Sequence, residues 1–266
     1  NEIGVGLTIL ATDIEDKVLV LEMGMRGLGQ IENLSKYSEP DIAIITNIGT
    51  AHIGLLGSKK NIAHAKCEIS KFLNPRGVVI IPANDPLLEE TLKLYWKGRV
   101  IKVELLNIEN QKVKFNKDNN LQGIYNPSNK TILIEDNTFV ISFEGFHNAS
   151  NFLLAYAVAK ELGIDFASFN RFNFSSLVGR NKIFKSAKTT IYDESYNASP
   201  ESVKACIKNL LEKPRNHFFI FGCMQELGDE SEKYHKEIFN LINDSDIEKC
   251  LFICDKKNAN IYTNYL

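Results

Sequence analysis

Six residues, Asp41-Ile42-Ala43-Ile44-Ile45-Thr46, follow Pro40 as a short and nearly unbroken apolar run. A strand with one wet face alternates apolar and polar residues. A continuous run of this length is instead the mark of a strand covered on both faces, as strands of mostly parallel sheets are. Val78-Val79-Ile80-Ile81 repeats the pattern and stops at Pro82 and the turn-like Ala83-Asn84-Asp85-Pro86. Between the two runs, Ser58 is an N-cap for a helix expected to reach about Leu73. Strand, helix, strand is βαβ wiring, and ligands of open α/β sheets gather just beyond the carboxyl ends of the strands.

Two segments are expected at that edge. The turn Thr46-Asn47-Ile48-Gly49-Thr50-Ala51-His52 leaves the first run, and Lys17-Val18-Leu19-Val20-Leu21 predicts an earlier strand ending in Glu22-Met23-Gly24. Glu22 and His52 are therefore candidates to share a cation. The helix from Ser58 puts Ile62, Lys66, Ile69 and Leu73 on one stripe facing the core. An ammonium is out of place there. Burial favours the neutral amine, so a lysine kept on such a face has a charged partner or has been chemically converted. Spacing alone also allows a lysine whose stem packs while its charge reaches water.

Farther along, residues 99–144 turn to short alternating segments, Val113-Lys114-Phe115 and Thr131-Ile132-Leu133-Ile134, between Asn-, Asp-, Gly- and Pro-rich clusters. They predict a small antiparallel sheet attached to the main domain. His147 opens a helix expected over residues 151–162. A change of domain is expected near Gly179-Arg180. Beyond it, strands at residues 189–192, 217–221 and 250–254 and a helix beginning at Pro200-Glu201 predict a second, Rossmann-like unit. The 266 residues carry 31 basic and 33 acidic side chains, a net charge of -2, which gives no electrostatic case for nucleic acid. Apolar residues make up 44% of the chain, enough for a sizeable core, and no apolar run reaches the length of a membrane span. Five cysteines without a CxxC pair predict reduced, packing thiols.

Taken together, several short motifs resemble those of the Mur ligases, the ATP-dependent enzymes that build the peptidoglycan stem peptide. Glu22-Met23-Gly24, Thr46-Asn47-Ile48-Gly49 with His52, and Ala65-Lys66-Cys67-Glu68 are similar to segments of the family's central domain. Gly145-Phe146-His147-Asn148-Ala149-Ser150-Asn151 resembles its G-x-H-N-x-x-N segment, and Gly179-Arg180 the pair that closes the domain. Asp193-Glu194-Ser195-Tyr196-Asn197-Ala198-Ser199-Pro200 is similar to the branch that adds D-alanyl-D-alanine, whereas sister ligases carry a histidine-bearing version. Phe221-Gly222-Cys223-Met224-Gln225-Glu226-Leu227-Gly228 resembles the stretch that follows in the same branch.

This resemblance implies a central ATPase domain over residues 1–180, a mostly parallel sheet with helices plus a small antiparallel sheet, and a partial Rossmann-like domain over residues 181–266. It implies a cytoplasmic, monomeric ligase that joins UDP-MurNAc-tripeptide to D-alanyl-D-alanine through an acyl phosphate, with no nucleic acid or membrane partner. ATP and magnesium are the implied cofactors, with carbon dioxide held as a carbamate on Lys66. Lys66, His52 and Asn47 are then the catalytic candidates, and Glu22, His52 and Lys66 the metal ligands. His147, Asn148, Asn151, Arg180, Asp193, Tyr196 and Asn197 are the nucleotide- or substrate-binding candidates. Glu226-Leu227-Gly228 is expected to shape a helix end rather than to act.

The departures are as informative. No segment matches G-x-x-x-x-G-K-[ST], the phosphate-cradling loop, and Asn1-Glu2-Ile3-Gly4 resembles the end of a family segment that lies after it. A fragment lacking the N-terminal domain, that loop and the end of the C-terminal domain is therefore expected, inactive alone. Two other readings stay open: a sister ligase adding one amino acid or extending a folate with glutamates, and a non-catalytic homologue that keeps the fold.

Overall fold

The computed structural model of the chain describes residues 1–108, 120–142, 144–164, 166, 179–180, 182–214, 216–255, 259 and 262–263. Their elements run α1 (Glu2–Leu10), α2 (Gln30–Ser38), β1 (Ile42–Ile44), α3 (Ile53–Leu56), α4 (Lys59–Cys67), β2 (Val78–Pro82), α5 (Pro86–Tyr95), β3 (Arg99–Asn107), β4 (Asn120–Asn126), β5 (Thr131–Ile134), β6 (Asn137–Val140) and α6 (Phe146–Glu161). They continue with β7 (Lys182–Lys185), β8 (Thr190–Asp193), α7 (Pro200–Leu211), β9 (His217–Gly222), α8 (Ser231–Asn243) and β10 (Ile247–Ile253).

One six-stranded sheet, in the order β1-β2-β3-β4-β5-β6, organises the first unit. Neighbours from β1 to β4 pair parallel, and β4-β5-β6 pair antiparallel. The continuous apolar run of β2 has the cause inferred for it. Val78 and Ile80 face one core with Ile132, Ile134, Phe139 and Leu153, and Val79 and Ile81 face another with Ala43, Ile45, Leu88 and Leu92. All four β2 side chains are at most 1% exposed. Each such side chain contributes roughly 1.5–3 kcal/mol of transfer free energy. The helices covering the two faces are therefore held by β2 from both sides.

Four features of the first unit correct or refine the expectations. Residues 17–21 form no strand: the segment has no ladder partner among the described residues, and Val18, Leu19 and Val20 are exposed. An extended segment becomes a strand only through a neighbour's hydrogen bonds, and the alternation of its side chains does not supply one. Second, the antiparallel strands of residues 120–140 are attached to the main domain as expected, and the parallel β3–β4 pairing makes them continuous with its sheet. Val113-Lys114-Phe115 lies outside the described residues. Third, α4 ends at Cys67 and tightens into a 3₁₀ turn, Glu68–Ser70. Ser58 caps it as expected, accepting from the Asn61 amide at 3.1 Å, while Ser70 Oγ donates to the Cys67 carbonyl at 2.8 Å in the tightened turn. Fourth, α6 begins at Phe146 rather than near residue 151, so Asn148 and Asn151 lie within its first turns.

The second unit is built on β9 and β10, which pair parallel, with α7 and α8 over Phe221, Ile207, Ile238 and Phe239. Pro200 opens α7 behind a Ser199 capping box, as the sequence predicts. β8 pairs antiparallel with β7 in its own two-stranded sheet rather than with β9. No helix among the described residues is long and apolar enough to cross a membrane.

Candidate functional site

The loop that leaves β1, residues 45–54, is the centre of the site. Lys66 reaches it from α4: Nζ donates to the Asn47 carbonyl at 2.8 Å and to Asn47 Oδ1 at 3.1 Å. Burial of the ammonium holds Lys66 below the ordinary lysine range, while the carboxylates of Glu201 and Asp85 pull in the opposite direction. The direct partners of Lys66 are thus neutral oxygens, with the charged groups one shell farther out. Removing an ammonium from water without a salt-bridge partner favours the free amine.

Glu201, in the first turn of α7, belongs to the second unit and grips the same loop. Both of its carboxylate oxygens accept from Thr50 Oγ1, at 3.0 and 2.8 Å. A Cβ on Gly49 would lie 3.4 Å from the Glu201 carboxyl carbon. Lys59 completes the group at 3.9 Å.

Glu226 holds the far end of the loop. One carboxylate oxygen pairs with Nδ1 of His52, and the other lies 3.1 Å from Arg26 Nη2. The Glu226 carbonyl accepts from the Gly54 amide at 2.8 Å. His52 and Glu226 both sit at positive φ, 66° and 61°, an unusual conformation for residues with a Cβ. Gly54 and Gly228 meet backbone to backbone, and a Cβ on Gly54 would fall 2.3 Å from Gly228 N. Behind them, His235 is fully buried. Its Nε2 accepts from the Met224 amide at 3.0 Å, and its Nδ1 donates to the Ser231 carbonyl at 2.8 Å. That pair of bonds fixes one tautomer and ties the start of the 223–228 turn to α8.

Glu22 lies exposed on the unpaired segment before α2. Among the described residues, no three His, Cys, Asp or Glu side chains are gathered into a cation cage. The nearby Glu68, quoted beside Lys66 in the sequence, has a structural task. It is 4% exposed and caps α2, accepting from the Gly29 amide at 2.7 Å and the Glu32 amide at 3.3 Å.

The other candidates fall into two groups. At the start of α6, Asn148 Nδ2 donates to the Glu144 carbonyl at 2.7 Å, and His147 and Asn151 are exposed. Gly145 is at φ 93°, and a Cβ there would meet Asn209 Nδ2 of α7 at 2.5 Å. Glu144 holds Lys130 at 2.6 Å and also Lys213, beyond α7. The second group joins the ends of two motifs. The Arg180 guanidinium stacks on the Tyr196 ring at 4.3 Å, and the Tyr196 amide donates to the Gly179 carbonyl at 3.0 Å. Asp193 accepts from Ser195 Oγ at 2.7 Å and from the Ser195 amide at 3.1 Å, and these bonds hold its carboxyl below the usual range. Asn197 follows at φ 50°.

Lys66 and Asn47 are therefore brought together, as are Arg180, Asp193 and Tyr196, and His147 with Asn148. Glu22 is not joined to His52. Glu201, Glu226 and Arg26 were missed as site residues, and their partners lie 151 or more residues away in Thr50 and His52 for the two carboxylates. Glu226 was expected only to shape a helix end.

A sequence family described as the Mur ligase middle domain matches residues 1–159, and one described as the Mur ligase, glutamate ligase domain matches residues 179–262. Curated relatives named UDP-N-acetylmuramoyl-tripeptide--D-alanyl-D-alanine ligase share 34% identity over 241 residues in Synechocystis sp. and 35% over 262 residues in Bacillus subtilis. These matches cover 90% and 94% of this chain but 50% and 54% of the relatives, so the chain spans about half the length of the curated relatives it matches. Crystal structure I of MurF from Acinetobacter baumannii superposes with a TM-score of 0.84 at 24% identity, over 100% of this chain and 57% of that one. MurF ligase from Thermotoga maritima in complex with ADP gives 0.76 at 24% identity, over 98% and 63%. At that identity the two structures speak for the fold.

Proposed function

The chain belongs to the Mur ligase family, and from that premise we propose that it serves an ATP-dependent ligase joining UDP-MurNAc-tripeptide to D-alanyl-D-alanine in cytoplasmic peptidoglycan synthesis. The names of its 34% and 35% identical relatives support that choice of substrates. The observation that carries the proposal is the loop of residues 47–54. Asn47 ties it to Lys66 of the first unit, and Glu201 and Glu226 grip it from the second. A reaction run between two domains needs such a shared element, because closure assembles the site and excludes water.

Forming the amide requires a leaving group on the carboxyl carbon. The tripeptide carboxylate attacks the terminal phosphorus of ATP, releasing ADP and giving an acyl phosphate. The dipeptide amine then attacks the acyl carbon, inorganic phosphate leaves, and the amine loses a proton. We assign the nucleotide to the junction of domains 1–180 and 181–266. There the Arg180 fork, stacked on Tyr196, suits phosphate or ribose oxygens, and the amides of Asn148 and Asn151 and the ring of His147 line the start of α6. Asp193 is a ribose acceptor in this scheme only by its second oxygen, since Oδ1 is engaged by Ser195. Asn197 turns the chain toward α7 and orients the incoming dipeptide with Tyr196.

The donor chemistry suits a magnesium nucleotide rather than a bare ion. Magnesium is commonly held by one or two side chains plus phosphates and waters. His52 through Nε2 and a carbamylated Lys66 would hold it, Glu22 not being joined to them, and it would neutralise charge developing on the phosphoryl group. Carbamylation fits the lowered lysine: the free amine attacks carbon dioxide and loses a proton, and the buried cation becomes an anion.

The test is phosphate release from ATP by the complete reading frame carrying this chain, supplied with UDP-MurNAc-tripeptide and either D-alanyl-D-alanine or single amino acids. Release that requires the dipeptide is expected. Release with a single amino acid would move the protein to a sister ligase, and none would leave a non-catalytic homologue.

A further inference from the structure

Glu226 makes three contacts with the first unit through three different atoms. One carboxylate oxygen meets His52 Nδ1, the other meets Arg26 at 3.1 Å, and the backbone carbonyl accepts from Gly54 at 2.8 Å. Its position is not free to adjust. The turn that carries it is fixed upstream by the Met224 bond to His235 and downstream by the Gly54–Gly228 contact. Neither carboxylate nor imidazole is fully solvated, with side-chain exposures of 27% and 32%. An imidazole whose one nitrogen is held by a carboxylate carries its proton there and offers the other nitrogen as the lone pair. This is the arrangement by which ligating histidines are commonly oriented. Here the orienting carboxylate comes from the other unit.

We propose that Glu226 is a positioning residue that couples docking of the second unit to the state of His52. When the units are docked, Glu226 holds His52 as the Nδ1–H tautomer and presents Nε2 to the loop side. When they separate, the orientation is lost. The purpose given to Nε2 rests on the ligase proposal above, but the coupling itself does not.

The experiment is ¹⁵N NMR of the His52 ring together with amide hydrogen exchange, on the whole chain and two variants, Glu226→Ala and Glu226→Gln. The wild type is expected to show the Nδ1–H tautomer and a protected Gly54 amide. In Glu226→Ala, the His52 proton moves to Nε2 and Gly54 exchanges at least tenfold faster, while the β2 amides are unchanged. Glu226→Gln keeps an acceptor oxygen, so the tautomer stays, but loss of the charge facing Arg26 speeds Gly54 exchange severalfold. An unchanged tautomer and unchanged Gly54 exchange in Glu226→Ala would overturn the proposal. If that variant also loses β2 protection, Glu226→Gln decides, and unchanged Gly54 exchange in it overturns the proposal equally. Failure of ATP-dependent phosphate release with these results intact would remove the ligase proposal and leave the coupling standing.

Discussion

Replacing Gly54 by alanine should uncouple the two units without unfolding either. The added Cβ would sit 2.3 Å from Gly228 N, 2.7 Å from Gly228 Cα and 2.8 Å from the Leu227 carbonyl carbon. All three neighbours are backbone, so no rotamer change relieves the clash. Ordinary contact begins near 3.4 Å, so the two segments must part by about 1.1 Å, the difference between 3.4 and 2.3 Å. That displacement breaks the 2.8 Å bond from Gly54 to Glu226 and carries Glu226 away from His52. A misplacement of about 1 Å between catalytic groups costs on the order of 100-fold in rate. The expected result is therefore a roughly 100-fold loss of dipeptide-dependent phosphate release in the complete protein. The two cores on the faces of β2 include neither segment, so the urea midpoint of the first unit should fall by no more than the equivalent of about 1 kcal/mol, one hydrogen bond. Activity within a few-fold of wild type would refute the argument, since it would mean that the site does not need the two segments in register.

Two further outcomes concern the supports of the site. Glu68→Ala leaves the Gly29 and Glu32 amides at the start of α2 without their acceptor; with bonds to a buried carboxylate contributing about 1.5–3 kcal/mol and the helix dipole about 0.3–1 kcal/mol, a loss of roughly 2–4 kcal/mol is expected by urea denaturation, and a loss under 1 kcal/mol would contradict the capping role. His235 is held below its ordinary pKa by burial, only partly opposed by the Ser231 carbonyl. As pH falls below the unfolded value of about 6.5, the unfolded state takes up the proton first, so stability declines in that acid window and is restored above it. A urea midpoint equally steep in pH between 5 and 7 in the wild type and in His235→Gln would count against this.

The parts of the fold visible in the sequence are those written locally. Ser58 before α4, Pro200 behind Ser199, and the apolar run of β2 each carry their cause within a few residues. β3 does not read as a strand from sequence because Arg99, Lys102 and Glu104 interrupt its apolar residues, and their partners lie elsewhere in the chain: Glu161 for Arg99, Glu89 for Lys102, and Asn84 and Gln122 for Glu104. The opposite holds at residues 17–21, where the side-chain pattern suggests a strand that no neighbour among the described residues pairs. The site divides the same way. Lys66 stood out by its place on an apolar stripe, and Asn47 by its place at a strand end. Glu201 and Glu226 look locally like a helix's first turn and a turn before a helix, and nothing near them in sequence names Thr50 or His52. The positive φ of Glu226 is likewise unreadable, since glutamate is not among the residues that such a conformation favours.

Charge helps to fasten the seam between the units. Arg26 to Glu226, Lys59 to Glu201, and Lys213 to Glu144 bridge it, and Ile53 supplies an apolar contact, packing against both the Met25 and the Phe221 clusters. Partly hydrated ion pairs weaken as the screening length shrinks from about 10 Å at 0.1 M salt to about 3 Å at 1 M. An interior of leucines and valines has no such dependence. Ionic strength therefore becomes a dial on this molecule: added salt loosens the seam while leaving β2 and its two cores untouched, separating hinge motion from unfolding in a single titration.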